Sequence, residues 1–124
     1  MKTSEAIDKG LMSRQDIEKI TLGSAICSDD CWLKARPVIV DAVFSDERNR
    51  FLWGLLKDMK QEGLNVNVVT MWEYALRKYP QIQKPVKLAS YICEITLTIA
   101  YSEYDKVLSE LLRLFGLERR YGAK

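Results

Sequence analysis

Histidine is absent from this chain of 124 residues, and with it the side chain that most often acts as a general base near neutral pH. A serine or cysteine nucleophile would lack its usual partner, so catalysis would have to rest on carboxylates or lysines. The sequence also contains no G-x-x-x-x-G-K-[ST], the loop whose backbone cradles nucleotide phosphates. These absences argue against an enzyme and exclude a phosphate-loop ATPase within this chain.

Cysteine is scarce, with only Cys27, Cys31 and Cys93. An odd number of thiols without histidine fits reduced cysteines in a reducing compartment and cannot complete a four-ligand zinc site of Cys and His. Five acids could be imagined around magnesium: Asp29, Asp30, Asp41, Asp46 and Glu47. They are better explained as helix caps and solvated turns, because helix starts favour acids. We therefore expect neither a metal nor a cofactor.

Long apolar runs are missing as well. Residues 89–101 form one of the longest, and Ser90, Glu94, Thr96 and Thr98 interrupt it. The first residues lack the basic-then-apolar order of a secretion signal, so we expect a cytoplasmic protein. With 19 Lys and Arg against 17 Asp and Glu, the net charge of +2 is too small to predict a phosphate-binding surface.

Amphipathic helices are what the sequence has in abundance. Ser45 is predicted to cap a helix with Asp46 and Glu47 in its first turn. An apolar stripe follows at three- and four-residue spacing, formed by Phe51, Leu52, Leu55, Leu56 and Met59. Gly63 stands where a left-handed residue ends such a helix. The pattern predicts a helix that buries one face and exposes the other.

A second helix is predicted directly after it. Thr70 and Glu73 have the spacing of a capping box, and Pro80 stops the helix. Its apolar side is formed by Trp72, Ala75, Leu76 and Tyr79. We expect Trp72 and Phe51 to be the buried anchors of these two helices.

Further helices are predicted on both sides of this pair. Ser13 and Asp16 have the capping-box spacing before a helix in which Gly23 could admit a close neighbour. Pro37 should divide the segment 31–43 into two short pieces. Pro85 suits the first turn of a later helix, whose end we place in the alternating run 95–99 because a lone strand would have no partner.

The last predicted helix opens at Ser102 and Asp105 and ends at Gly116. Its apolar band is too wide for one core-facing stripe, which suggests contact with a second helix outside the fold. The candidate interface residues are Tyr104, Leu108, Leu111, Leu112, Leu114 and Phe115. We divide the chain into a flexible N-terminal arm (1–12), a helical domain (13–116) and a C-terminal tail (117–124), with an all-α fold.

Several of these residues, in this order, resemble the N-terminal domain of DnaB-type replicative helicases. Glu18, Leu22 and Gly23 match the family's leading Glu-x-x-x-Leu-Gly, and residues 91–95 resemble its later Tyr-Leu-x-Glu-Leu. The other matching residues are Trp32, Phe44, Arg50 and Thr70. Asn stands at positions 49 and 67, where the family has His and Asp. The resemblance covers residues 16–108.

The resemblance implies a compact orthogonal bundle of about six helices and a role without catalysis. It implies protein interaction and oligomerisation, as a homo-oligomer or with helicase subunits, and contact with primase or a helicase loader within the primosome. It also implies that Arg50 holds a neighbouring loop by hydrogen bonds. An alternative is a free-standing helical DNA-binding or mobile-element accessory protein with the same fold, although the arginines are spread among acids and predict at most weak DNA contact.

Overall fold

The computed structural model describes residues 1–121, and over these residues all regular structure is helical. The prediction of an all-α fold is confirmed, with seven α-helices in place of about six. Their bounds are α1 Thr3–Asp8, α2 Arg14–Cys27, α3 Asp29–Ala35, α4 Glu47–Gln61, α5 Val68–Lys78, α6 Pro85–Thr96 and α7 Tyr104–Tyr121. A single 3₁₀ turn, Asp41–Val43, lies between α3 and α4.

Helix α2 is the centre of the bundle. It packs against α3, α4, α6 and α7, and almost its whole second half is buried, from Ile20 to Ile26. A helix with neighbours on most of its sides has no solvent-exposed face. The polar side chains of Thr21 and Ser24 are therefore buried too, and Thr21 donates to the carbonyl of Ile17 at 2.8 Å.

Gly23 lets α6 approach α2 closely, as the sequence predicted. A Cβ atom placed on Gly23 would lie 1.9 Å from the carbonyl oxygen of Ile95 and 2.8 Å from its carbonyl carbon. No side chain can occupy that space. The absence of a Cβ therefore sets the distance between the two helices.

The helix starts agree with the sequence predictions at some positions and correct them at others. The Ser13–Asp16 capping box is present at α2. The prediction that Ser45 caps α4 is wrong, because Asp46 accepts from the Arg48 N–H and takes that place. The predicted box of Thr70 with Glu73 is also wrong. Asn67 and Thr70 form the capping box, so α5 begins at Val68 and Thr70 occupies the third helical position.

The predicted breaks in the chain are confirmed. Helix α3 ends before Pro37, and the last three residues of that segment form the separate 3₁₀ turn. Gly63 has a φ of +73° just after α4, the left-handed conformation that favours glycine. Pro85 is the first residue of α6, and the alternating run beginning at Ile95 contains the end of that helix.

The cap of α3 is Ser28. Its side chain accepts from a free backbone N–H, whereas neither Asp29 nor Asp30 does so.

The aromatic anchor of the core is Trp53, a residue outside the predicted stripe. It is fully buried, with ring centroids 5.3 Å from Trp32 and 5.7 Å from Phe44. The prediction that Phe51 and Trp72 are buried anchors is wrong, because both are half-buried. Trp72 lies at the edge of the core, where its indole N–H donates to the carbonyl of Pro85 at 2.9 Å.

Both ends of the chain differ from the sequence predictions. The segment expected to be a flexible arm contains α1, whose Ile7 is buried and which packs against α7. Gly116 does not end the last helix, since α7 continues to Tyr121. A glycine in the middle of a helix costs about 1 kcal/mol relative to alanine, and the helix can continue through it. The predicted tail is thus helical up to Tyr121, and its last residues lie outside the described part.

Within residues 1–121, none of the helices combines the length and the apolar character required to cross a membrane.

Candidate functional site

The fully buried carboxylate of Glu18 is the centre of a polar cluster between α2 and the start of α4. It accepts from the Ser45 hydroxyl at 2.5 Å, from the backbone N–H groups of Ser45 and Asp46 at 3.0 and 3.3 Å, and from the Asn49 amide at 3.0 Å. A buried charge is tolerated only when it is paired and hydrogen-bonded. Here the donors come from the start of α4, so Glu18 fixes that helix against α2.

The charge partner of Glu18 is Arg14, one turn earlier on α2. Its Nε donates to Glu18 at 3.1 Å, and one terminal nitrogen donates to the carbonyl of Val43 at 2.8 Å. The other terminal nitrogen pairs with Glu118 of α7. One planar guanidinium therefore joins α2, the 3₁₀ turn and the far end of α7, a use of several fixed donors that lysine could not reproduce.

Asn49 extends this polar cluster to α6. Its amide nitrogen donates to Glu18, while its amide oxygen accepts from the Tyr91 hydroxyl. An amide can donate and accept at once, so Asn49 satisfies both buried partners. Asn49 therefore connects the buried carboxylate of α2 to the tyrosine of α6.

Tyr91 and Arg48 form the outer edge of the polar cluster. The Arg48 guanidinium lies 4.1 Å from the centre of the Tyr91 ring and bonds Asp46 at 2.8 and 3.2 Å. Burial, aided by the Asp46 carboxylate, raises the pKa of Tyr91 to about 12, although Arg48 opposes the shift. The hydrogen bond from Arg48 lowers the pKa of Asp46. Tyr91 is therefore a neutral structural donor at ordinary pH.

A groove of about 560 Å³ runs between α4 and α6 next to this cluster. Its walls are apolar in the middle, with Phe51 and Leu52 from α4 facing Leu88 and Tyr91 from α6, and charged at the ends. The charged residues are Glu47, Arg48, Lys87 and Glu94. The volume lies in the range of sites that hold small ligands or apolar side chains of a partner. Sequence reasoning missed this groove because its two walls are about 40 residues apart.

The predicted interface on α7 is mostly core, which corrects the sequence interpretation. Tyr104, Leu108 and Leu111 are buried, and the Tyr104 hydroxyl donates to the carbonyl of Thr21 at 2.7 Å. Burial raises the pKa of Tyr104 well above its ordinary value. The other three candidates are only partly buried and pack at the edge of the core: Leu112, Leu114 and Phe115. The band looked too wide because α7 contacts α1, α2 and α3 on different sides.

Two exposed apolar residues on α7 were not among the candidates. Leu117 is 37% exposed and Tyr121 is 75% exposed. They lie in the last turns of α7, beyond Gly116, where the sequence predicts a tail. Together with Leu114 they recur at three- and four-residue spacing, which is the signal that could have identified them.

The residues that match the family lie mostly in the core and in the polar cluster. Arg50 donates to the carbonyl of Phe44 at 3.3 and 3.1 Å, so the expectation that it holds a loop is confirmed. Leu22 and Phe44 are fully buried, and Trp32 is nearly so. Glu18 and Tyr91 belong to the polar cluster, Gly23 permits the close helix contact, and Thr70 is part of a capping box.

The arrangement of thiols and acids does not suggest reactive chemistry. All three cysteines are free, and burial raises the pKa of the Cys27 and Cys31 thiols, which disfavours the reactive thiolate. Among residues 1–121 there is no group of three or more His, Cys, Asp or Glu side chains placed to hold a metal ion. The features that could contact another molecule are the exposed residues of α7 and the α4–α6 groove.

A known protein family matches this chain. The family model described as the DnaB-like helicase N terminal domain matches residues 11–110, which is most of the chain. Comparison with curated proteins and with solved structures gives no significant match.

Proposed function

Because the chain belongs to the family of DnaB-like helicase N-terminal domains, we propose that it acts as a non-catalytic interaction and oligomerisation domain of a replicative DNA helicase. In this proposal it associates with copies of itself or with helicase subunits and contributes contacts to primase or a helicase loader. The observation that carries the proposal is the family match over residues 11–110.

The distribution of apolar surface supports self-association. The core is closed by the chain's own helices, yet Leu117 and Tyr121 remain exposed on α7, and the α4–α6 groove has an apolar middle. Contiguous apolar patches with polar rims commonly mark protein contacts. The arginines give less support to DNA binding, since Arg14, Arg48 and Arg113 pair with acids and Arg50 holds a carbonyl.

We expect the isolated chain to bind no ATP. The motif that would hold nucleotide phosphates does not occur in its sequence, and the proposed role needs none. Isothermal titration calorimetry with ATP and magnesium checks this directly. Saturable heat of binding would contradict a purely non-catalytic domain.

We also expect the chain to form dimers at about 100 µM, a concentration at which a micromolar dimer dominates. Light scattering should give twice the monomer mass, and Leu117→Glu should return the protein to monomer. Leu117 is a better probe than Leu112 or Leu114, since those side chains pack against the core.

The matched control is Val69→Glu, which places the same charge at a 60% exposed position near the start of α5. An acid there suits the helix dipole and should leave both stability and mass unchanged. A wild-type chain that remains monomeric at about 100 µM would contradict self-association.

A further inference from the structure

The two helices that form the α4–α6 groove run in opposite directions along it. Glu18 of α2 bonds the start of α4, and the adjacent Lys19 bonds Glu94 near the end of α6 at 2.5 Å. Further along α4, the Phe51 ring lies 5.4 Å from the ring of Tyr79, which comes shortly before α6 in the chain. The start of α4 therefore faces the end of α6, and the groove has two distinct ends.

The first end of the groove has an available negative charge. Glu47 and Glu94 are both exposed there, but Glu94 is already bonded to Lys19. Arg48, at the same end, is bonded to Asp46. Glu47 takes no part in the salt bridges formed among residues 1–121. Its carboxylate can therefore pair with a cation from another molecule.

The opposite end has an available positive charge. Lys87 is exposed in the first turn of α6 and is likewise absent from the salt bridges of the described residues. That turn contains no acid, and the N-cap residue, Lys84, provides no side-chain cap. The ammonium of Lys87 and the positive end of the α6 dipole thus both favour an anion. Lys87 and Glu94 are separated by two turns of α6, which is about 10 Å.

Apolar side chains fill the groove between its charged ends. Leu52 and Tyr91 are buried, whereas Phe51 and Leu88 are only half-buried and face each other across the groove. A length of about 10 Å corresponds to two turns of a helix. Residues i, i+3, i+4 and i+7 of a helix share one side, and such a side is what enters an apolar groove.

We propose that the α4–α6 groove binds a helix of a partner protein, in which an acid at position i and a base at i+7 flank apolar residues at i+3 and i+4. The acid pairs with Lys87, the base pairs with Glu47, and the apolar pair covers Phe51 and Leu88. The spacing of seven residues matches the distance of about 10 Å between the charged ends. The inference rests on the proposed function, because it specifies which kind of partner the domain binds.

Three synthetic helical peptides of equal length test the pairing. Each has leucine at i+3 and i+4 on a background of alanine and glutamine. They differ at i and i+7, which are an acid and a base, two acids, or two bases. Fluorescence anisotropy of the labelled peptides at low ionic strength measures each dissociation constant. The wild type should bind the acid–base peptide about five times more tightly than either of the others, which place like charges opposite one another at one end.

Charge reversal at either end of the groove should change which peptide is preferred. Glu47→Lys should prefer the peptide with two acids, and Lys87→Glu should prefer the peptide with two bases. The matched controls are Glu73→Lys and Lys9→Glu, which change the net charge equally at exposed positions outside the groove. Both controls should keep the wild-type preference, and circular dichroism confirms that every variant is folded.

The outcomes separate the groove contact from the proposed function. A wild type that binds none of the peptides at up to about 1 mM, or binds all three equally, overturns the groove contact. A change of preference in the controls as large as in the groove variants also overturns it, because net charge would then explain the effect. Sedimentation with the helicase tests the proposed function without these peptides, so either can fail while the other holds.

Discussion

Gly23→Ala should unfold the domain or lower its free energy of unfolding by about 4 kcal/mol or more, at the upper end of overpacking effects. The new Cβ would lie 1.9 Å from the carbonyl oxygen of Ile95. The obstructing atoms belong to the backbone of α6, so no rotamer change can relieve the contact. Helices α2 and α6 would have to move apart, and the core between them would open.

Gly54→Ala is the matched control for this prediction. Gly54 lies within α4, and a Cβ placed there meets nothing within 4 Å. Alanine should therefore stabilise the protein by about 0.5–1 kcal/mol through helix propensity. Urea unfolding measures both variants. A Gly23→Ala protein as stable as the wild type would show that the close approach of α6 is not a feature of the molecule.

Glu18→Ala should lower the free energy of unfolding by about 3–5 kcal/mol, the loss expected when one partner of a buried ion pair is removed. The change leaves the Arg14 guanidinium without its buried carboxylate and deprives Ser45 and Asn49 of their acceptor. Since Arg14 also bonds Glu118, the end of α7 should loosen as well. Hydrogen exchange would detect that loss of protection.

Glu94→Ala removes the same kind of side chain from the surface and serves as the comparison. Glu94 pairs with Lys19, but its side chain is 54% exposed, so the loss should stay below about 1 kcal/mol. If the two variants lost equal free energy of unfolding in urea, the polar cluster around Glu18 would not be what holds the start of α4 against α2.

The fold could be predicted from sequence because its signals are local. The Ser13–Asp16 box, Pro37, Gly63 and Pro85 each act on the backbone within a few residues, and each behaves as predicted. The wrong predictions share a different cause. Ser45 has the chemistry of a cap, but its hydroxyl bonds Glu18, which is 27 positions earlier in the chain. Local propensity could not reveal that competitor.

The candidate site was less predictable, because burial on a helix depends on how many neighbours surround it. The apolar band of α7 suggested an external partner, yet Tyr104, Leu108 and Leu111 face the protein's own core. Similarly, Trp53 lies off the stripe of α4 but is buried by Trp32 and Phe44, which come from earlier segments. Period and spacing identify a face and cannot show what covers it.

Binding to the replicative helicase tests the central proposal most directly. Sedimentation velocity of the fluorescently labelled chain should be measured with and without the purified replicative helicase of the same cell, at up to about 100 µM helicase subunits. An interaction domain of this family should sediment with the helicase, and an excess of unlabelled chain should displace it. A labelled chain that sediments unchanged by the helicase over the whole range would contradict the proposed function.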